Sequence, residues 1–148
     1  MENDSYYMKL AEAKAEESTC LSRKVGVAVV GIKDFDGMVV SFCNYTPDGL
    51  PNCKDEGKCL RRSMGIPSCQ RLELCRIIHA EMAAVAALSI DMEGSTMYVT
   101  SAPCNICAHL IVQVGVKKVV YKGGYPSDGL DVLRYGGVEV VKYEEVID

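Results

Sequence analysis

The fold is decided by residues 96–121, which read TMYVTSAPCNICAHLIVQVGVKKVVY. This stretch predicts a strand over Thr96 to Thr100, a helix over Cys104 to Val114 and a second strand over Lys118 to Tyr121. Two strands that are joined through a helix run parallel, and the helix then covers one face of their sheet. The stretch therefore predicts a βαβ unit, the building block of α/β proteins.

The sequence on either side of this unit extends the sheet and adds helices. Because strands and helices alternate, we expect a three-layer α/β/α fold around a mixed sheet. A chain of 148 residues suffices for one domain spanning residues 1–148. The other predicted elements are a helix from about Tyr6 to Ser18 with Ser5 as N-cap, a strand at Val25–Val30, a turn at Asp34–Gly37, a strand at Met38–Asn44, a helix at Arg76–Leu88, a helix near Asp128–Tyr135 and a strand at Val138–Val141.

A Cys-rich insertion at about residues 45–75 interrupts this pattern. It has no sustained hydrophobic period, and it holds four of the eight cysteines, namely Cys53, Cys59, Cys69 and Cys75. A segment this poor in apolar side chains cannot order itself by burial, and four thiolates around a structural zinc could order it. The spacing is wider than in ordinary zinc knuckles, so four free thiols are the alternative.

Composition and charge exclude several classes of protein. The apolar fraction of 49% and the charged fraction of 24% are ordinary for a globular domain, and the net charge of −4 disfavours a nucleic acid as the main partner. No apolar run approaches the roughly eighteen residues of a membrane span, and residues 1–5 are too polar for a signal peptide. We therefore expect a cytoplasmic protein. Because cysteines stay reduced in that compartment, metal ligation is the first role to consider for them.

Two short motifs carry the candidate chemistry. They are His79-Ala80-Glu81 and Pro103-Cys104-Asn105-Ile106-Cys107, and the second opens a predicted helix. Cys104 and Cys107 are one helical turn apart, so both thiolates can bind one ion. With His79 they make three nitrogen and sulfur ligands, and a zinc with three protein ligands keeps a fourth position open. A lone Cys-x-x-Cys would equally indicate structural zinc or redox chemistry, so it is the combination that favours a catalytic zinc.

Glu81 is the candidate proton carrier. It lies two residues from His79, close enough to reach a water on the metal without being a ligand itself. Zinc lowers the pKa of a bound water toward about 7, and a carboxylate can then carry the proton. The pairing of His-x-Glu with Pro-Cys-x-x-Cys is typical of zinc-dependent nucleobase deaminases.

At these motifs the sequence resembles the cytidine and deoxycytidylate deaminase superfamily, and within it the dCMP deaminases of the ComE operon protein 2 type. The resemblance extends over most of the chain, and Tyr7–Ala11, Arg23–Gly26, Cys43–Pro47 and Gly115–Tyr121 all match segments of the family. It implies five strands in the order 2-1-3-4-5, with helices on both faces. It also implies hydrolysis of dCMP to dUMP and ammonia, and assembly into a homo-oligomer.

The resemblance further implies roles for four residues in substrate binding. Arg23 matches a family residue near the substrate phosphate, and Asn44 matches one that contacts the sugar. The backbone around Ala80 would read the edge of the pyrimidine, and Tyr125 would close the base pocket. Related deaminases often carry a second zinc in their insertion, which favours the metal-bound alternative for the Cys-rich insertion.

Other substrates and one other class of function remain as alternatives. The same chemistry could act on cytidine, guanine, a modified base or adenosine in tRNA. The tRNA enzymes tend to have Glu-Pro-Cys and a basic face, whereas this chain has Ala102-Pro103-Cys104 and an acidic balance. A non-catalytic zinc protein with a regulatory role is disfavoured by Glu81, because a structural zinc has no use for a carboxylate there.

Overall fold

The computed structural model describes residues 3–35, 37–67, 70–71, 74–124 and 128–145. Six helices and five strands lie in these ranges, with a short 3₁₀ helix after the fourth α-helix. In chain order they are α1 (Asp4–Ala15), β1 (Gly26–Val30), β2 (Val39–Cys43), α2 (Cys53–Glu56), α3 (Leu60–Ser63), α4 (Ala80–Leu88), the 3₁₀ helix (Ser89–Met92), β3 (Thr96–Ser101), α5 (Asn105–Gln113), β4 (Lys118–Gly123), α6 (Asp128–Tyr135) and β5 (Glu139–Lys142).

The five strands form one mixed sheet in the order β2-β1-β3-β4-β5, which confirms the predicted order. Strand β1 runs antiparallel to both of its neighbours, and its Val27 pairs with Val99 of β3. The pairs β3–β4 and β4–β5 are parallel, with Val99 opposite Tyr121. The helices α5 and α6 supply the crossovers that parallel strands need, so residues 96–121 form the predicted βαβ unit.

Helices cover both faces of the sheet. On one face, Met8 and Ala11 of α1 pack with Ala28, Tyr98 and Val120. The other face carries α4, α5 and α6, where Ala84, Ile111 and Leu133 belong to the main core cluster together with alternate residues of the strands. Successive strand residues point to opposite faces, which is why Ala28 lies in one cluster and its neighbours in β1 lie in the other.

One glycine sets how closely α1 approaches the sheet. A Cβ atom added at Gly26 would stand 1.8 Å from the backbone oxygen of Ala11. Any side chain there would force α1 away from β1, so this close packing requires glycine. The short approach fixes the segment between α1 and β1, which includes Arg23.

Two predicted helix starts are wrong. Helix α1 begins at Asp4 after Asn3, so Ser5 lies inside the helix and is not its N-cap. Helix α4 begins at Ala80 rather than at Arg76. The reason is a long-range contact, because the backbone N–H and C=O of Ile78 pair with those of Tyr45 in an isolated antiparallel bridge. That bridge keeps the chain extended up to the first residue of α4.

The insertion contains more regular structure than its sequence predicts. Two four-residue helices, α2 and α3, form there, and the Asn52 side chain caps α2 by accepting a hydrogen bond from the Asp55 N–H at 2.7 Å. An ion pair between Glu56 and Arg76 ties α2 to the segment that leads into α4. Within the described residues, no helix combines the length and the apolar character that crossing a bilayer would take.

Candidate metal centre and active site

The three predicted metal ligands come together at the start of two neighbouring helices. His79 precedes α4, and Cys104 and Cys107 lie at the start of α5. Nδ1 of His79 lies 3.3 Å from Sγ of Cys107 and 3.6 Å from Sγ of Cys104. All three donor atoms lie within 4.8 Å of one another, and no other triple of His, Cys, Asp or Glu in the described part of the chain meets this condition.

The start of each helix orients these ligands. Cys104 is the N-cap of α5, and its Sγ accepts a hydrogen bond from the Cys107 N–H at 3.4 Å. A sulfur that accepts an N–H at a helix N-terminus is stabilised as the thiolate. The bridge at Ile78 extends the chain before α4, and this directs His79 toward α5 instead of into a helical turn.

The protonation of the two thiols fits a site that binds a cation. The pKa of Cys104 is lowered to about 4, first by its hydrogen bond with the Cys107 thiol and also by His79. The same hydrogen bond, together with burial, raises the pKa of Cys107. A zinc ion that both sulfurs bind would displace the thiol protons, since cysteine binds zinc as the thiolate. The donor set of one imidazole and two thiolates matches a zinc site with an open position.

Glu81 is buried beside these ligands, in the first turn of α4. Its side chain is only 4% exposed, and burial raises its pKa, while the charges of His79 and Arg23 lower it. The pKa of His79 is raised, first by its hydrogen bond to Cys104. Because burial disfavours the charged form, this carboxylate accepts a proton more readily than an exposed one does, which suits a proton carrier.

These residues line one cavity of about 180 Å³. The predicted residues Arg23, Asn44, Ala80 and Glu81 line it together with His79 and Cys104. Its remaining walls come from residues that the sequence does not single out for substrate binding, namely Cys20, Ser22, Val25, Arg61, Cys75, Ser101 and Ala102.

Arg23 is held in place by β3. Its Nη2 donates a hydrogen bond to Oγ of Ser101, the last residue of that strand. Gly124 packs over this pair with φ +88°, and a Cβ atom added there would stand 2.5 Å from Oγ of Ser101 and 3.0 Å from Nη2 of Arg23. Ser101 is therefore a functional candidate that sequence reasoning missed. The only indication of this role in the sequence is that Ser101 lies at the end of a strand, three residues before Cys104.

Asn44 uses its side chain to fix the backbone near Arg23. Its Nδ2 donates to the Arg23 carbonyl oxygen at 2.7 Å, and its Oδ1 accepts from the Val25 N–H at 2.9 Å. The residue is 6% exposed and still borders the cavity. The predicted contact with a sugar stays a prediction, and Tyr125 lies outside the described residues.

The insertion brings three of its four predicted zinc ligands to one place. Cys53, Cys59 and Cys75 line a small pocket next to the main cavity, and Cys69 lies outside the described residues. Burial raises the pKa of Cys53, and the neighbouring thiols of Cys59, Cys20 and Cys75 raise it further. Their sulfurs are less tightly grouped than the donor atoms around His79, since only the latter lie within 4.8 Å of one another among the described residues.

Comparison with known proteins assigns the family. Residues 1–122 match the model of the cytidine and deoxycytidylate deaminase zinc-binding region. The deoxycytidylate deaminase of Schizosaccharomyces pombe is 32% identical over 95% of this chain, which spans only 44% of that longer protein. The deoxycytidylate deaminase of Mycobacterium phage D29 is 36% identical over 80% of this chain and 92% of its own length.

A solved structure agrees over the full length of the fold. The dCMP deaminase of the cyanophage S-TIM5, solved in complex with dCMP and dUMP, is 33% identical, with a TM-score of 0.72. The match covers 96% of this chain and 97% of the cyanophage chain. The family model matches residues 1–122, the phage D29 relative is 36% identical and is covered over 92% of its length, and the ligands of a zinc site are grouped, so the chain belongs to the cytidine and deoxycytidylate deaminase family.

Proposed function

We propose that this protein hydrolyses dCMP to dUMP and ammonia, with a catalytic zinc held by His79, Cys104 and Cys107. The observation that carries the proposal is the buried Glu81 next to that ligand set, in the cavity that Arg23 and Asn44 border. The likeness to the cyanophage dCMP deaminase supports the choice of substrate. Relatives named deoxycytidylate deaminase support it as well.

Glu81 performs the proton transfers in this mechanism. A zinc held by the three ligands would act as a Lewis acid and would make water acidic enough to lose a proton near neutral pH. Glu81 accepts that proton as the water oxygen forms its bond to C4 of the cytosine ring. The carboxyl group delivers this first proton to N3. It then takes the second proton from the new C4 hydroxyl and passes it to the departing amine, so the C4=O bond forms, the C4–N bond breaks and ammonia leaves.

Four residues position the substrate in this scheme. Arg23, anchored by Ser101, contributes a fixed cation for the phosphate, and Asn44 contacts the sugar. The backbone at Ala80 reads the pyrimidine edge, and Tyr125 closes the base pocket. Excess positive charge in the cavity, from Arg23 and Arg61 against Glu81, favours an anionic nucleotide over an uncharged nucleoside.

A second zinc in the insertion is part of the proposal. Cys53, Cys59 and Cys75 supply three thiolates, and the fourth comes from Cys69, as the sequence predicts, or from Cys20, which neighbours Cys53. Four thiolates make a closed tetrahedral site, which stabilises a fold but leaves no position for a substrate. This ion therefore orders the insertion and takes no part in the reaction.

The setting of the enzyme follows from the same chemistry. We place it in the cytoplasm, because its thiols must stay reduced to bind zinc. We also propose that residues 1–148 form one domain. We also propose a homo-oligomer. Adenosine in tRNA is a less suitable substrate, since the chain has Ala102-Pro103-Cys104 and a net charge of −4.

The substitution Glu81→Gln tests the assignment of the proton carrier. We expect kcat for dCMP to fall by about 10²- to 10⁴-fold, because an amide cannot accept the proton, while one zinc remains at His79. The matched control is Glu144→Gln, an exposed acid outside the cavity, which should leave kcat unchanged. Ammonia release and zinc content are measured on both variants. Activity of the Glu81→Gln variant at the wild-type level would refute the mechanism.

A further inference from the structure

Arg61 lies in the wall between the catalytic cavity and the Cys-rich pocket of the insertion. It comes from α3, far along the chain from the zinc ligands, yet it lines both spaces. The catalytic mechanism above gives it no individual role. A cation in this position reaches any ligand that extends from the zinc toward the insertion.

One nitrogen of the Arg61 guanidinium is hydrogen-bonded and a second is buried without a partner among the described residues. Its Nη1 donates to the backbone oxygen of Gln70 at 3.1 Å. Its Nε is buried and has no hydrogen-bond partner among the residues that the structure describes. A buried donor without a partner is unfavourable by more than a typical hydrogen bond contributes, so such a group is expected to have a partner in the functional state. A ligand in the cavity can supply the missing acceptor.

The geometry of the free edge selects the kind of acceptor. The N–H groups of Nε and Nη2 point the same way and match two oxygens of one phosphate. Because the Gln70 carbonyl holds the opposite edge, the plane of the guanidinium is already set before a ligand enters. Arg23 cannot offer the same free fork, since its Nη2 is already bonded to Ser101.

We propose that Arg61 binds the 5′-phosphate of the substrate through its Nε and Nη2 edge, so that the Cys-rich insertion completes the substrate site. This inference rests on the proposed function in taking the phosphate to be that of a nucleotide. It assigns to the insertion a role in substrate selection besides its own stability. Arg23 and Arg61, which line the same cavity, then both contribute positive charge to the phosphate.

The test compares Arg61→Gln with Arg62→Gln, an exposed neighbour on the same short helix. Full-length protein loaded with zinc is titrated calorimetrically with dUMP and with inorganic phosphate, and KM is measured for dCMP and deoxycytidine. We expect Arg61→Gln to weaken the binding of dUMP and of phosphate and to raise KM for dCMP, each by about 10-fold or more. KM for deoxycytidine and all constants of Arg62→Gln should stay at their wild-type values.

The outcomes separate this inference from the proposed function. Wild-type affinity of Arg61→Gln for both dUMP and phosphate would overturn the role of Arg61, and so would an equal loss for dCMP and deoxycytidine. If the wild-type protein does not deaminate dCMP but loses phosphate affinity on Arg61→Gln, the proposed function fails and the phosphate site stands. If Arg61→Gln loses zinc or has a lower melting temperature, Arg61→Lys is measured instead, because lysine keeps the positive charge but lacks the paired N–H donors of the guanidinium. Wild-type dUMP affinity in that variant would also overturn the inference.

Discussion

At the scale of single residues, the cavity combines two kinds of polar contact. Glu81, His79 and Cys104 line it directly, whereas Ser101 and Asn44 also hold Arg23, the first by its side chain and the second by its backbone. The second kind of contact is positional, since it fixes where the Arg23 side chain and backbone lie. Removing such a partner leaves Arg23 charged but free to move.

The substitution Ser101→Ala tests this positioning. We expect KM for dCMP to rise about fivefold, the effect of losing roughly 1 kcal/mol of hydrogen bonding, with little change in kcat. The matched control is Ser95→Ala at the other end of β3, where the hydroxyl is buried with no partner in the described residues. Steady-state kinetics on both variants provide the measurement. An unchanged KM for Ser101→Ala would show that Arg23 needs no anchor.

At the scale of elements, α6 supports the loop that carries the metal ligands. A Cβ atom added at Gly129 would stand 2.2 Å from the backbone oxygen of Pro103 and 2.8 Å from that of Cys104. Both distances are far below ordinary contact, and both atoms belong to the backbone, which cannot rotate away. Helix α6 and the start of α5 therefore cannot both keep their positions if residue 129 has a side chain.

The substitution Gly129→Ala is therefore expected to weaken zinc binding. Alanine favours a helix over glycine by up to about 1 kcal/mol, but overpacking of this kind costs typically about 1–3 kcal/mol, so the clash decides the sign. We expect a lower melting temperature and zinc loss at a lower chelator concentration than in the wild type. Asp131→Ala, an exposed change on the same helix, is the control. A Gly129→Ala variant with wild-type zinc affinity would contradict the packing argument.

The order and type of the core elements were predictable, and some of their starts were not. Apolar periodicity and the family resemblance predict the sheet and the positions of His79 and Cys104 correctly. The start of α4 was not predictable, because it depends on the pairing of Ile78 with Tyr45, which are 33 positions apart. Ser101 and Arg61 were missed for the same reason, since each reaches the cavity only once distant segments have packed together.

At the scale of the whole molecule, the insertion is built onto the catalytic fold as a second wall of its cavity. Arg61 and Cys75 reach the catalytic cavity from it, and the Glu56–Arg76 ion pair fastens it to the approach to α4. An insertion in this position can contribute to activity only if it is ordered. The proposed second zinc supplies that order through Cys53, Cys59 and their neighbours.

Metal analysis of the whole protein tests the second ion. We expect about two zinc ions per chain in the wild type and about one in Cys59→Ser, because loss of one thiolate opens the structural site but leaves the catalytic ligands intact. The matched control is Cys43→Ser, a buried free cysteine whose charged neighbours are Lys14 and Glu17, which should retain two. A wild-type content of about one zinc per chain would contradict the second site.

Deamination of dCMP by the purified protein is the most direct test of the proposed function. Zinc-loaded protein is incubated with dCMP, deoxycytidine, cytidine, adenosine and guanine, and ammonia is measured together with the deaminated product. We expect conversion of dCMP to dUMP with one ammonia per dUMP and a higher kcat/KM than for any of the other compounds. Absence of dUMP, or faster deamination of adenosine or guanine, would contradict it.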